Sequence, residues 1–548
     1  MKLIKQFSLT ALVALLAACS QQNSSEVATV SVEKARIKAH LEFLADDQLE
    51  GRDTGSQGYE IAANYVAAEF KKMGLVPAGE DGYMQRVPFR RAYLDQNSTV
   101  VKIGSGSDTV ELKYPQDYMM GASTATTESS VKADVVFVGY GLIAEDYDYN
   151  DYEGLDVKGK IVVALTGRPK AWPSEEGAHL GSGKLKSAHA AEHGAIGFVT
   201  LHTPKREKVR SYTTSLNYLG SPSLRWLDKD DAPYGVQKQF KGGAYLNMEA
   251  GKKLFANAPT SLEDIFALDT EDKEIKGFDL NTSIELASKS RHEKITSPNI
   301  VAVLPGSDPV LKDEYVVFTA HLDHIGLAKD VTTKDRINNG AMDNASGVSV
   351  LLETARVLAN SERPRRSILF TVVTGEEKGL LGASYFANNP TVPLTSMVAN
   401  VNLDMPVLLY DFADVIAFGA NHSSMGAVVE KAAGQLGIGL SPDPMPEQAI
   451  FTRSDHYNFV KKGIPSVFLM TGFTSKTEGE DGGKVWGEFF AKHYHKPSDS
   501  LDLPINYDAA KVFADVNIRI GLTVANQDER PYWLEDSFFG KTFGQTAK

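Results

Sequence analysis

Histidine and acidic side chains recur in the second half of the chain, where predicted strands end or helices begin. In chain order they are His321, Asp323, Asp343, Glu376, Glu377, Asp404, His495 and Asp499. Because the carboxyl ends of parallel strands meet at one edge of a sheet, side chains that follow separate strands are expected to converge there. The sequence therefore predicts a site at that edge, assembled from several strands.

The chemistry of these side chains suits a definite kind of metal. Imidazole and carboxylate without thiolate favour zinc or a similar borderline ion over copper or an iron–sulfur cluster. Five ligands exceed the four that one zinc ion takes, so the set suits two ions that share a bridging carboxylate. Paired ions can activate water and polarise a carbonyl group, and a carboxylate that is not a ligand must then move the proton. The adjacent Glu376 and Glu377 can divide the roles of ligand and base.

The order of these motifs resembles that of peptidase family M28. The matching stretches are His321-Leu322-Asp323, Asp343-Asn344-Ala345-Ser346-Gly347, Glu376-Glu377, Asn402-Leu403-Asp404-Met405 and Tyr494-His495. The resemblance implies two Zn²⁺ per chain, with the ligands His321, Asp343, Glu377, Asp404 and His495. It also implies that Asp343 bridges both ions and that a cis peptide follows it.

The resemblance assigns roles to the remaining polar residues of the set. Glu376 would be the general base of the reaction. Asp323 would fix the tautomer of His321, as expected for the partner of a metal-bound imidazole. Asp499 would do the same for His495.

Residues 453–457 hold the candidate substrate contacts. In the family that the chain resembles, a Ser-Asp-His stretch lies near the substrate pocket, which implies contacts from Arg453, Asp455 and Tyr457. A nucleophilic role for Ser454 is not expected, because no Gly-x-Ser-x-Gly turn surrounds it.

A second histidine motif lies earlier in the chain. His189-Ala190-Ala191-Glu192-His193 matches the His-x-x-Glu-His pattern of another class of zinc peptidase. Residues i and i+4 share one face of a helix, so the pattern permits a metal site. The segment is rich in alanine and has no supporting ligands, and we interpret it as helix surface.

The domain organisation follows from changes in pattern along the chain. Strands alternate with helices after Asn299, which predicts an α/β fold whose mostly parallel mixed sheet is flanked by helices. An earlier strand-rich segment, with Gly139-Tyr140-Gly141 and Gly159-Lys160-Ile161-Val162, resembles an inserted β-rich protease-associated domain. The predicted parts are a signal peptide (1–18), a tether (19–31), a helical start (32–96), the insert (97–286), the di-zinc core (287–530) and a tail (531–548) whose aromatic residues pack onto the body.

The N-terminus predicts export and a lipid anchor. Lys2 and Lys5 precede a short apolar run that ends in Leu16-Ala17-Ala18-Cys19, which resembles the lipobox of bacterial lipoproteins. Cys19 is the only cysteine in the chain and would carry the lipid. We expect an anchored lipoprotein, at the outer membrane facing the periplasm or the cell surface. The formal net charge of −13 argues against nucleic acid as a partner.

These observations predict an exopeptidase that removes N-terminal residues from peptides. A carboxypeptidase or dipeptidase on the same scaffold is an alternative, since Arg453 could hold a free C-terminal carboxylate. Two further alternatives are a glutaminyl cyclase, which the five ligands argue against, and a lipid-tethered binding module with structural zinc. Structural zinc sites are closed, whereas a free Glu376 beside a paired site favours catalysis.

Overall fold

The computed structural model describes residues 30–104, 108–329 and 334–544. Its α-helices are α1 Lys34–Leu44, α2 Gln57–Lys72, α3 Ser174–Leu180, α4 Gly183–Glu192, α5 Pro204–Val209, α6 Tyr212–Ser215, α7 Met248–Leu254, α8 Leu262–Thr270, α9 Gly347–Ala359, α10 Leu381–Asn388, α11 Met425–Gly434, α12 His456–Val460, α13 Gly482–Lys492, α14 Tyr507–Asn526 and α15 Phe538–Phe543. In these three ranges no helix combines the length and the apolar character that crossing a membrane needs. The predicted signal peptide and Cys19 lie outside the described residues, so the lipid anchor stays a prediction.

The strands form one large sheet and a small separate hairpin. They are β1 Val76–Pro77, β2 Met84–Ile103, β3 Val110–Glu111, β4 Tyr118–Met119, β5 Glu128–Phe137, β6 Ile143–Ala144, β7 Tyr149–Asn150, β8 Ile161–Leu165, β9 Gly197–Leu201, β10 Ser223–Trp226, β11 Gly243–Leu246, β12 Phe278–Leu304, β13 Tyr315–His321, β14 Ser367–Val373, β15 Met397–Leu403, β16 Asp414–Phe418, β17 Gly439–Ser441 and β18 Ser466–Thr471. The main path through the large sheet runs β17-β16-β18-β15-β13-β14-β12-β5-β8-β9-β11-β4.

The centre of the sheet is parallel. Strands β18, β15, β13 and β14 run in one direction, and β16 and β12 flank them antiparallel. Strands β14 and β15 are buried along their whole length, and β14 accordingly reads as a nearly continuous apolar run instead of an alternating one. Helices α9 and α14 pack against this part of the sheet. The predicted α/β fold with a mostly parallel mixed sheet is confirmed.

The chain leaves the parallel part of the sheet and returns to it through a long antiparallel ribbon. Strands β2 and β12 pair from Met84↔Ile300 to Ile103↔Ile284, and they connect two separate hydrophobic cores. The expectation of short strands from residue 97 onward was wrong here, and the predicted boundaries at 97 and 286 fall inside these strands. Turn-forming residues such as Asn97 are accommodated where β2 is exposed on the surface of the ribbon.

Helix α3 of the inserted segment packs directly on the part of the chain that forms the parallel strands. Its Glu175 side chain accepts a hydrogen bond from the Gly419 N–H and lies 2.8 Å from Nε2 of His422. Nearby, the C-terminal helix α15 buries Phe539 against the ring of His422. The prediction that the tail packs onto the body is confirmed, and the tail and the insert meet at the same place.

Candidate active site

The parallel register brings the first group of predicted ligands together. Strand β13 ends at His321. Its Thr319 pairs with Asn402 of the neighbouring parallel strand β15. This register places Asp404, directly after β15, beside the imidazole. Nε2 of His321 lies 3.0 Å from Oδ1 of Asp404 and 3.4 Å from Oδ1 of Asp343.

A second group of ligands meets the other side of the same aspartate. Nε2 of His495 lies 3.2 Å from Oδ2 of Asp343 and 3.2 Å from Oε2 of Glu377. The two oxygens of Asp343 therefore face two different groups of ligand atoms. The peptide bond that follows Asp343 is cis. The structure thus brings together all five side chains predicted as ligands.

The spacing within each group fits a zinc ion. Two ligand atoms held about 2.0–2.2 Å from one tetrahedral ion lie roughly 3.3–3.6 Å apart, close to the distances within both groups. Asp343, Glu377 and Asp404 are all largely buried, and burying several carboxylates together is costly unless cations compensate them. The donor set of imidazole and carboxylate is one that zinc prefers.

Electrostatics within the site point to the same need for positive charge. Burial by itself would lower the pKa of His321, but the carboxylates of Asp404 and Glu376 raise it well above its usual range. Burial opposes protonation of His495 too, and Glu377 raises its pKa. Without metal, a proton on each imidazole therefore offsets the negative charge of these carboxylates, as a bound metal ion would. Because ligation requires neutral imidazole, metal binding must release these protons.

Glu376 stands beside the ligands without joining either group. It lines a pocket with His321, Asp343 and Asp404. Burial raises its pKa well above the usual range, and the neighbouring carboxylate of Asp404 raises it further. A carboxyl group that readily holds a proton next to the ligands has the property required of a general acid and base.

Asp323 acts on the site through two different groups. Its backbone carbonyl, rather than its carboxylate, lies 3.0 Å from Nδ1 of His321 and fixes the tautomer that leaves Nε2 free for metal. Its carboxylate accepts hydrogen bonds from the backbone N–H groups of Glu376 and Glu377. Asp323 therefore positions other residues of the site: its carbonyl orients His321, and its carboxylate orients the backbone of the two glutamates.

The prediction that Asp499 contacts His495 is wrong. The carboxylate of Asp499 accepts hydrogen bonds from the backbone N–H groups of Met342 and Asp343. It therefore holds the loop that carries Asp343. The hydrogen-bond partner of Nδ1 in His495 is Tyr218 of the inserted segment.

Ser454 supports a ligand. Its hydroxyl donates to Oδ2 of Asp404, the oxygen that faces away from His321. Asn402 donates to the same hydroxyl, and Thr319 donates to Asn402. This chain of hydrogen bonds fixes the orientation of the Asp404 carboxylate, which is consistent with the expectation that Ser454 is not a nucleophile.

Sequence reasoning missed His324. This residue is fully buried, and its Nδ1 lies 2.7 Å from Oε1 of Glu377, while its Nε2 has no hydrogen-bond partner. It forms a possible metal-holding group with Asp343 and Glu377. The only signal in the sequence was its position one residue after the His321-Leu322-Asp323 motif.

The three candidate substrate contacts occupy different places. Arg453 lines the pocket beside the ligands, and its guanidinium donates to the hydroxyl of Tyr494. Tyr457 points instead to Nδ1 of His179 in the inserted domain. Asp455 is fully buried below the pocket, and burial raises its pKa well above the usual range. Direct substrate contacts from Asp455 and Tyr457 are therefore not supported by the geometry.

The His-x-x-Glu-His motif does not assemble a site. It lies on α4 and its C-cap, as predicted, but the ring of His193 stacks on Tyr152 with centroids 4.5 Å apart. His189 is buried, which corrects its interpretation as helix surface, and Glu192 is exposed. Among the described residues, the groups able to hold a metal are those around Asp343.

A buried arginine supports the edge of the sheet that carries the ligands. Arg52 is almost fully buried, and its guanidinium donates to the carbonyls of Leu322, Leu44, Asn339 and Gly340. Burial lowers its pKa to about 10, and the carboxylates of Asp499 and Asp323 oppose that shift. One side chain thus joins the N-terminal helical segment to the loops on both sides of the metal ligands.

We expect the substitution Arg52→Met to lower the free energy of unfolding by about 3–5 kcal/mol, because it leaves buried carbonyls without donors and buried acids without a cation. Urea unfolding followed by circular dichroism measures this loss. The matched control is Arg86→Met, which removes an exposed ion pair to Glu60 and should cost about 1 kcal/mol or less. Equal losses in the two variants would contradict this role for Arg52.

The fold and the site define an α/β protein with a cluster of candidate metal ligands at the carboxyl edge of a parallel sheet. Residues 299–520 match the sequence model of Peptidase family M28.

The chain is also similar in sequence to other proteins. The chain is 25% identical over 484 residues to a probable leucine aminopeptidase 2 of Aspergillus oryzae, covering 86% of this chain and 79% of the relative. It is 39% identical over 121 residues to a probable zinc metalloprotease of Pyrenophora tritici-repentis, covering 21% and 26% of the two chains. It spans 37% and 39% of the length of two rodent aminopeptidases that it also matches.

A solved structure shares the fold. It is the aminopeptidase from Aneurinibacillus sp. strain AM-1, with a TM-score of 0.53 at 19% identity, covering 91% of this chain and 95% of that one. The chain therefore has the fold of that aminopeptidase.

Proposed function

We propose that this protein is a di-zinc aminopeptidase that hydrolyses the N-terminal peptide bond of peptides. The observation that carries the proposal is the orientation of Asp343, whose two oxygens each face a separate group of ligand atoms. Each group has the spacing that one zinc ion requires. Glu376 lies at the same pocket and is not needed as a ligand.

The residues of the chain divide the work of hydrolysis. His321, Asp404, Asp343, Glu377 and His495 would hold two zinc ions. Bound there, the ions would supply Lewis acidity and a lowered pKa for water. Glu376 accepts a proton from the attacking water and passes it to the nitrogen of the departing amine. The carboxylate of Asp323 keeps Glu376 in place by accepting a hydrogen bond from the backbone N–H of Glu376.

The pocket next to the ligands suits an apolar substrate side chain. Its walls include Met405, Ile450, Phe468, Met470 and Phe490. Large apolar side chains at the terminal position would bury their surface there, at about 25 cal/mol per Å². Acidic groups around the ligands also favour a free ammonium group on the substrate over a free carboxylate.

One observation favours a second candidate. Arg453 lines the same pocket, and a guanidinium can hold a substrate carboxylate with two hydrogen bonds. A carboxypeptidase or dipeptidase on this scaffold would use that contact.

Zinc content and three substrates separate these possibilities. The purified protein would be given three substrates: a leucine anilide with a free amine, its N-acetylated form, and a peptide in two versions, one with its C-terminus blocked and one N-acetylated with its C-terminus free. About two zinc ions per chain, with cleavage of the free anilide and of the blocked peptide but not of the acetylated anilide, would support the aminopeptidase. Cleavage that tolerates acetylation and requires a free C-terminus would transfer the assignment to a carboxypeptidase.

A further inference from the structure

The inserted domain reaches a metal ligand directly. The hydroxyl of Tyr218 lies 3.1 Å from Nδ1 of His495, and the two rings meet edge to face with centroids 6.0 Å apart. Tyr218 belongs to the insert, whereas His495 belongs to the peptidase domain, 277 residues further along the chain. Since Nε2 of His495 faces Asp343 and Glu377, the Nδ1–H group is the one that donates, and the phenol oxygen accepts.

The two imidazoles of the site differ in what supports them. His321 ends a central strand, and its Nδ1 partner is the carbonyl of Asp323, two residues away on the same loop. His495 lies in a loop with φ +57°, a left-handed conformation that costs a non-glycine residue free energy unless its surroundings fix it. Tyr494 stacks on one face of its ring at 3.9 Å, but its Nδ1 contact comes from the insert.

The segment around Tyr218 is held by contacts from the insert and from the peptidase domain. The guanidinium of Arg210, in the same domain, lies over its ring at 5.4 Å. Lys329, from the peptidase domain, donates to the carbonyl of Leu219 and to the hydroxyl of Ser221. The segment that carries Tyr218 is therefore held by contacts to both domains.

We propose that Tyr218 is a positioning residue of the metal centre: it fixes the tautomer and orientation of His495, so the inserted domain completes the second of the two zinc sites. Partners of this kind typically change metal affinity about 10- to 100-fold when they are removed. The effect is confined to one site, because His321 and Asp404 are supported within the peptidase domain. This inference rests on the proposed two-ion centre.

The test compares Tyr218→Phe with Tyr234→Phe in the full chain. Both substitutions remove one hydroxyl of the insert, and that of Tyr234 also contacts the peptidase domain, at Oδ1 of Asn388. Zinc dissociation constants would be measured for both sites by competition with a chelator. The urea midpoint would be recorded for each variant, to exclude unfolding as the cause.

We expect Tyr218→Phe to raise the dissociation constant of one ion about 10- to 100-fold and to leave the other ion within about twofold of wild type. Tyr234→Phe should leave both constants unchanged. Wild-type constants for both ions in Tyr218→Phe would overturn the role of Tyr218 while leaving the two-ion centre intact. A wild-type protein that binds fewer than two ions would overturn the two-ion centre, and this inference with it.

Discussion

The substitution Glu376→Gln is expected to lower kcat about 10³-fold while the protein keeps its full zinc content. Glutamine has nearly the same shape but cannot accept and return a proton, and general acid–base catalysis typically contributes about 10²–10⁴-fold. Glu376 is not one of the five ligand side chains, so zinc binding should not depend on its charge. Substrate binding should change little, and the loss should appear in kcat rather than in KM.

Two variants serve as controls for this result. Glu192→Gln changes the glutamate of the His-x-x-Glu-His motif in the insert, where the side chain is exposed, and should leave kcat unchanged. Glu377→Gln changes the adjacent residue, which contacts His495, and should lower zinc content as well as activity. Activity of Glu376→Gln within tenfold of wild type would show that another group moves the proton. Loss of activity in Glu192→Gln alone would place the active site in the insert.

The substitution Asp343→Asn is expected to abolish binding of both zinc ions at once. Each oxygen of Asp343 faces a different group of ligands, and asparagine offers a single carbonyl oxygen and an NH₂ group that cannot ligate. At a free zinc concentration 100-fold above Kd, each bound ion adds about 2.7 kcal/mol to the free energy of unfolding. Wild-type protein should therefore gain about 5 kcal/mol from zinc, and Asp343→Asn close to none.

The matched variant is Asp404→Asn, which changes a carboxylate that contacts only the His321 group among the ligands. It should lose one ion and keep the other, with about half of the zinc-dependent stabilisation. Metal analysis after dialysis, together with unfolding in zinc and in chelator, measures both quantities. Equal losses in the two variants would mean that Asp343 does not bridge two ions.

Much of the peptidase domain could be predicted from local pattern. Helix α9 shows the three- to four-residue spacing of apolar residues that an amphipathic helix imposes, and strand β14 shows the apolar run of a strand buried on both faces. The ligands could be predicted because they follow such elements directly. A parallel sheet gathers the ends of its strands at one edge, so position in the sequence translates into position in space.

Contacts between distant segments were decided by the tertiary structure alone. Asp499 was expected at His495 but holds the loop of Asp343, and the partner of His495 is Tyr218 from the insert. Ser454 proved to support Asp404. These contacts join residues 50 to 277 positions apart, and no local period encodes such a pairing.

By itself, the sequence determined which residues could carry the chemistry of the site: the five candidate ligands, the candidate base Glu376, and the sheet edge where they meet. Only the tertiary structure decided how these side chains are oriented, that Asp343 presents its two oxygens to two separate groups, and that the insert takes part in the site. The physical reason is that residue type and spacing fix which groups can bind metal. The hydrogen bonds that aim those groups depend on how remote segments pack.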